Sequence, residues 1–262
     1  MKPKTSLYIS LGIGAILLLL VVIAIGKHPP TTQWQPSVLK AMIYINKKTV
    51  APMRAPVWLP SVGNSANLIQ NALATVDASG YEVSLWGTQS VLPINSHAIP
   101  LSMSNLIGGF GVQTYASSAQ AKQAALSLDQ TYVTHRFTMS SQLFKPLGVL
   151  TNNVTLSNQV TGQENATHLL FQLQGWRMIL CEPTGNKQAL VSLANTIITD
   201  IKSKGLPKGT GQLIVNLGAD GNHSYASFAN GTICNQVWSW LDPSACLKMA
   251  NSMQAFPGTV PS

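Results

Sequence analysis

Acidic residues are what this chain has least of. Asp and Glu together number 8 in 262 residues, and charged residues of both signs make up 9%, against about 25% in typical soluble domains. No two carboxylates are paired in sequence, so general acid–base hydrolysis has little to work with. The 16 Lys and Arg leave a net charge of +8. They are scattered rather than gathered into a run, so the basic balance reads as a shortage of carboxylates and not as a nucleic-acid footprint. Cysteine is also scarce, with Cys181, Cys234 and Cys246 only, and no C-x-x-C; this excludes a zinc ribbon or a thioredoxin-type site. His28, His97, His135, His168 and His223 are widely separated and form no H-x-x-x-H. Gly-x-Ser-x-Gly, Walker A and His-Glu-x-x-His are all missing, and no cofactor, metal site or catalytic residue is expected. Two partial motifs remain. Gly108-Gly109-x-Gly111 lies in a strand-like run without dinucleotide-loop spacing, and it marks a bulge or a close backbone approach. Ser37-Val-Leu-Lys40 fits S-x-x-K, but it stands in a proline-flanked stretch with no Ser-Asp-Asn or Lys-Thr-Gly, so it is taken as a chance match.

Long apolar runs are absent as well, with one exception. Residues 7–26 carry no charge, and 13 of the 20 are Leu, Ile or Val. As a helix they span about 30 Å, the thickness of a bilayer's hydrocarbon core. At roughly −0.4 kcal/mol each, the branched residues favour insertion by about 5 kcal/mol. Lys2 and Lys4 precede the run and Lys27 follows it, a slight bias for a cytoplasmic N-terminus. A cleaved signal peptide is the rival reading, with Ala24 and Gly26 at the −3 and −1 positions of a cut before Lys27. The run exceeds the 7–15 residues of a usual h-region, which favours an uncleaved anchor. Either way the rest of the chain is placed outside the cell. A surface built on neutral polar groups changes little when carboxylates protonate, so the composition suits an acidic exterior.

The expected organisation is a cytoplasmic N-terminus over 1–6, an anchor over 7–26, a juxtamembrane stalk over 27–56, an extracytoplasmic α+β domain over 57–256 and a tail over 257–262. The stalk holds Pro29, Pro30, Pro36, Pro52 and Pro56, with a short ordered piece at 38–45. Ser65–Ala78 reads as a helix with Leu68, Ile69, Ala72, Leu73 and Val76 as its apolar positions. Tyr81–Trp86 and Leu106–Tyr115 read as strands, followed by a Ser117/Ser118 cap and an Ala-rich helix to Leu128. Short strands are expected within 133–165. Beyond these, His168–Gln174 and Trp176–Glu182 flank Gly175 as a hairpin. Asn186 caps a helix that Gly205 and Pro207 stop. Strands at Gln212–Leu217, His223–Phe228 and Thr232–Trp240 are punctuated by Asp220-Gly221 and Asn230-Gly231. Asp242 then caps a last helix with Pro243 at its first position. The blocks around Gly175 and Gly231 align without a gap, which gives an internal β-hairpin–helix repeat. Two α+β layers, or one long antiparallel sheet with helices packed on one face, both satisfy this pattern.

Trp58-Leu59-Pro60, Leu92-Pro93-Ile94-Asn95-Ser96, Gly175-Trp176, Asp220-Gly221-Asn222-His223 and Met249-Ala250-Asn251-Ser252-Met253 together resemble uncharacterised, membrane-anchored extracytoplasmic proteins of Gram-positive bacteria. The resemblance covers about 57–256 and brings no activity with it. The strand–Gly-Trp–strand–helix pattern also looks a little like bacterial lipoprotein sensor and carrier domains, from which this chain departs by having no lipidation Cys.

Trp238 and Trp240 alternate on one strand, and with Trp176 and His223 they form a candidate binding face; burial in the core is the alternative. Asp220 beside His223 is read as turn chemistry. Cys234 and Cys246 are a candidate disulfide if the last helix folds back on its own hairpin, with burial of both thiols as the alternative, and Cys181 is expected to be buried and reduced. The functional expectation is a membrane-anchored binding, sensor or envelope-assembly module without catalytic activity. Its expected partners are the membrane, through residues 7–26, and an envelope protein or anionic polymer, with no nucleic acid. An extracytoplasmic enzyme acting on cell-envelope material is the alternative.

Overall fold

Eight strands contribute one side chain each to a single continuous apolar row. Phe171, Met178, Leu213, Ala226, Val237, Phe110, Val83 and Ala74 are successive register partners, and all are buried. Because side chains alternate across a strand, such a row defines one face of one sheet. The computed structural model describes residues 34–61, 68–127, 147–218 and 221–257. The apolar run at 7–26, the segment 1–6, the first residues of the expected stalk, residues 133–146 and Asp220 lie outside the described residues. Among the described residues no helix is long and apolar enough to cross a membrane.

The strands are β1 (Arg54–Pro56), β2 (Ile69–Val76), β3 (Gly80–Thr88), β4 (Leu106–Thr114), β5 (Asn152–Thr155), β6 (Thr161–Glu164), β7 (His168–Leu173), β8 (Trp176–Cys181), β9 (Thr210–Gly218), β10 (Gly221–Asn230), β11 (Ile233–Ser239) and β12 (Met253–Ala255). The helices are α1 (Pro36–Asn46), α2 (Ser118–Leu126), α3 (Lys187–Lys204) and α4 (Pro243–Asn251). The class is α+β. Among the described residues, ten strands form one sheet in the order β2-β3-β4-β11-β10-β9-β8-β7-β6-β5, and β1 pairs with β12 in a two-stranded sheet. The large sheet is mixed rather than purely antiparallel, because β8 and β9 run parallel. Parallel neighbours need a crossover, and the 18-residue α3 supplies it.

Local chemistry fixes the boundaries. The β7–β8 hairpin closes through Gln174 and Gly175, both at positive φ, as a two-residue turn of this hand requires. The β10–β11 hairpin closes through Gly231 and Thr232, one residue beyond the expected Asn230-Gly231 pair. Each hairpin is followed by a capped helix. Asn186 accepts from Ala189 N at 3.1 Å and Asp242 from Ala245 N at 2.7 Å, while Ser117 accepts from Gln120 N at the start of α2. At α3 the cap is reinforced by Glu182, whose carboxylate accepts from Asn186 N and Thr184 Oγ1. Burial works to raise the pKa of Glu182, and these hydrogen bonds outweigh it and hold the carboxyl below its ordinary value.

Three expectations are corrected. The described part of the helix expected over Ser65–Ala78 is not helical; Ile69–Val76 is the edge strand β2. Asp77 Oδ1 accepts from Ser79 N and Gly80 N, and this tight turn returns the chain into β3, overriding the helical spacing of Ile69, Ala72, Leu73 and Val76. Residues 36–56 are not a stalk. Pro36 starts α1 at a position where its missing N–H costs nothing, and Val38, Ala41, Met42 and Ile45 are all fully buried. Arg54–Pro56 then pairs with β12. Finally, the helices do not all pack on one face. α4 reaches the face of Val237, whereas α2 lies on the opposite face, where Ser227 Oγ donates to Ala125 O and Ala229 and Cys234 pack on Ala121 and Ala125.

Candidate functional site

The four residues of the expected binding face do not converge. Trp238 and His223 share one face of the sheet: the Trp238 ring stacks on Tyr225 with centroids 6.2 Å apart, and His223 stacks on Trp240 at 4.7 Å. Trp176 pairs with Gly211, which pairs with Phe228, and Phe228 is three residues from Tyr225. Trp176 therefore projects from the other face, where its ring meets Phe228 at 5.7 Å. Exposures of 1% for Trp176 and Trp238 and 3% for His223 put all three in the core. Both indoles occupy space that glycines leave. A Cβ on Gly109 would stand 2.2 Å from Trp238 Cζ2, and one on Gly211 would stand 2.6 Å from Trp176 Cε2. The glycines at 108–111 thus serve close packing, and the strand pairing opposite them is irregular between Leu85 and Trp86.

The candidate disulfide is absent. Cys181, Cys234 and Cys246 are all buried thiols. Cys234 packs against α2 with Ala121, Ala125 and Ala229, while Cys246 Sγ on α4 points to Val237 O at 3.6 Å on the opposite side of the sheet. A β-sheet separates the two sulfurs, because α4 folds back over the face that Cys234 does not use. Burial pushes the Cys234 thiol up to about 12 and raises that of Cys246 as well.

His168, Cys181, Asn216 and His223 are successive register partners on β7, β8, β9 and β10. The row holds the residue types of a nucleophilic site but not its geometry. Strands lie about 4.8 Å apart, so Cys181 and His223 are separated by about 10 Å and the two histidines by about 14 Å. His168 Nδ1 instead lies 3.0 Å from Thr167 Oγ1, and none of the four exceeds 3% exposure. A buried nucleophile without access is a packing residue. No group of three potential metal ligands occurs among the described residues.

The feature best suited to meet a ligand lies at the other end of the sheet, between α1 and the edge strand β2. It is a cleft of about 150 Å³ lined by Pro36, Ser37 and Lys40 of α1, by Ile69–Ala72 of β2, and by Val91, Leu92 and Ile94. The rim is apolar and open: Val91 is 61% exposed and Ile69 38%. Two polar atoms of its lining residues have no hydrogen-bond partner. Ser37 Oγ is buried without a hydrogen-bond partner, as is Gln70 Oε1, whose amide nitrogen donates to Pro60 O. Gln35, the N-cap of α1, gives no side-chain cap, and the first turn holds no acidic residue, so the positive end of the helix dipole is uncompensated there.

The backbone of β2 adds to this. Asn95 N donates to Ala72 O, and Asn95 exchanges two side-chain bonds with Ala74 N and O. Ala72 and Ala74 thus turn their backbone groups away from β3. By the two-residue alternation of a strand, Gln70 turns its N–H and C=O the same way. Beyond the reach of Asn95, the edge from Gln70 to Ala72 N–H faces the cleft. Ser37-x-x-Lys40 stands out in the sequence, but its proline-rich surroundings point to a stalk. The signal that would have found the site is Pro36, which reads as a helix start and puts Ser37 and Lys40 one turn apart on one face.

No family model, curated protein or solved structure matches this chain.

Proposed function

We propose that this chain is a binding module held at a membrane by residues 7–26, with its folded part outside the cell, acting as a sensor or as an adaptor for envelope material. The cleft between α1 and β2 carries the reading. Small-ligand sites are largely apolar with a few polar groups and span about 300–1,000 Å³; at about 150 Å³ this cleft suits a group the size of one side chain, and buried atoms without partners, such as Ser37 Oγ and Gln70 Oε1, cost about 1–3 kcal/mol each until a ligand or water satisfies them. The enzymatic alternative has less to draw on. Lys40 is the one titratable side chain among the described residues lining the cleft, and Ser37 Oγ makes no hydrogen bond to it, whereas an activated Ser–Lys nucleophile has its hydroxyl donating to the lysine amine.

Two measurements test the proposal. Alkaline carbonate extraction of cells expressing the full chain with a C-terminal tag should leave it in the membrane fraction, and protease added to intact cells should remove the tag. Extraction into the soluble fraction, or a protected tag, rejects the membrane placement. Soaking crystals with N-acetyl-leucinamide should place the probe in the cleft; an empty cleft at saturating probe rejects the binding site.

A further inference from the structure

Resting on that reading of the cleft, we propose that its ligand is the C-terminal end of an extended peptide. The main chain of the peptide runs along the free edge of β2, its last side chain enters the apolar lining, and its carboxylate meets Ser37, Lys40 and the first turn of α1.

Each part of the ligand answers a group of the cleft. By the alternation of a strand, Gln70 N–H, Gln70 C=O and Ala72 N–H point away from β3, two donors and one acceptor in strand geometry. Only another peptide main chain presents the matching alternation, which is how extended peptides add to exposed sheet edges. The apolar positions Ile69, Ala72, Val91, Leu92 and Ile94 suit one aliphatic side chain, and about 150 Å³ leaves room for little more. The polar end of the cleft calls for a negative charge. It combines an uncapped helix N-terminus, a buried hydroxyl without a partner and a lysine, with no acidic residue among the described lining side chains. One lysine and no arginine match a singly charged carboxylate better than a phosphate, which calls for more compensation. Asn95 limits the register. It already occupies the edge at Ala72 O and Ala74, so the free edge pairs with about two ligand residues before the peptide must leave the sheet. That short reach is why the terminal residue, and not an internal segment, fits.

The test uses the full chain in nanodiscs and fluorescence polarisation with the N-terminally labelled hexapeptide Ala-Ala-Ala-Ala-Ala-Leu as a free acid. The acid should bind at least tenfold more tightly than its C-terminal amide. Lys40→Met and Ser37→Ala should each reduce that preference severalfold; Lys40 is exposed, so its loss does not open the core. Replacing the last peptide N–H by an ester oxygen should weaken binding severalfold, and this change leaves the protein untouched. Equal binding of acid and amide overturns the carboxylate assignment. Tighter binding of octanoate than of the peptide, with no effect of the ester, overturns the peptide assignment in favour of a fatty acid. If neither hexapeptide binds while N-acetyl-leucinamide still occupies the cleft in crystals, the peptide inference falls and the binding site stands. If that probe is also excluded, both fall together.

Discussion

Gly109→Ala is the sharpest test of how this sheet is packed. A Cβ at position 109 would stand 2.2 Å from Trp238 Cζ2 and 2.2 Å from Val83 O, more than 1 Å inside normal contact. Neither neighbour can retreat cheaply. Val83 O belongs to the backbone of the adjacent strand β3, and the Trp238 ring is 1% exposed and stacked on Tyr225. Overpacking of this kind costs about 1–3 kcal/mol, and a double clash that includes backbone belongs at the upper end. A loss of about 3 kcal/mol in a domain of roughly 200 residues lowers Tm by about 6–12 °C. Gly175→Ala is the control. It carries the same chemical change at φ +80° with nothing within 4 Å of the new Cβ, so only the left-handed backbone strain of about 1–2 kcal/mol applies. Urea unfolding of both variants, with calorimetric Tm values alongside, measures the difference. If Gly109→Ala costs no more than Gly175→Ala, the indole does not cover Gly109 and the reasoning fails.

Other outcomes follow from the same structure. Asn186→Ala and Asp242→Ala should each destabilise the folded domain by about 1 kcal/mol in urea melts, through loss of the caps at α3 and α4; no change would mean that those helix starts are misplaced. Ellman's reagent should titrate none of the thiols at pH 8 in the native protein, because all three cysteines are buried and Cys234 is pushed up to about 12, and all three in guanidinium without reductant; two fewer would revive the Cys234–Cys246 link. Glu182 has a pKa below its ordinary 4.5 in the folded state, so it contributes stability above that pH and loses it as pH falls through the depressed value. The urea midpoints of the wild type and Glu182→Gln should therefore converge as pH drops from 6 to 3, and a constant gap would contradict the assignment.

The C-terminal half was legible because its signals are local. Hairpin glycines at 175 and 231 and cap residues at 186 and 242 act through their nearest neighbours, so they read from sequence to within a residue. The helix expected at Ser65–Ala78 failed because the decisive information was not periodicity but the Asp77–Gly80 turn, which commits the chain to pair with Tyr81–Thr88. The binding face failed for a tertiary reason. Alternation places Trp238 and Trp240 on one side of a strand, but only the register of β8 on β9 shows that Trp176 faces the other way. The disulfide failed likewise, since sequence brings Cys246 back to its hairpin without saying over which face. The cleft is hidden in the sequence because a cluster of prolines signals extended chain. At Pro36 it starts a helix, and four fully buried side chains on that helix make it part of the core.

Asn95 shows how closely the candidate site and the integrity of the sheet are tied. β2 is an edge strand, and an unpaired edge invites another strand. Asn95 closes most of it, receiving Ala74 N on Oδ1 at 2.6 Å and donating Nδ2 to Ala74 O at 3.0 Å, while its own N–H donates to Ala72 O at 3.3 Å. Its φ of +58° aims the amide at the strand, and Asn is among the few residues that adopt this conformation readily. Asn95→Gly keeps the backbone conformation and removes both side-chain bonds, at roughly 1 kcal/mol each. Asn95→Ala removes the same bonds and adds backbone strain of about 1–2 kcal/mol. The expected order of stability in urea is therefore wild type, then Gly, then Ala. Both variants should also show concentration-dependent association in sedimentation velocity, because the bared N–H and C=O of Ala74 extend the free edge beyond Gln70 and Ala72. An Asn95→Gly protein as stable as the wild type, sedimenting identically at every concentration, would show that this asparagine does not guard the edge, and that the free stretch facing the cleft is not bounded as described.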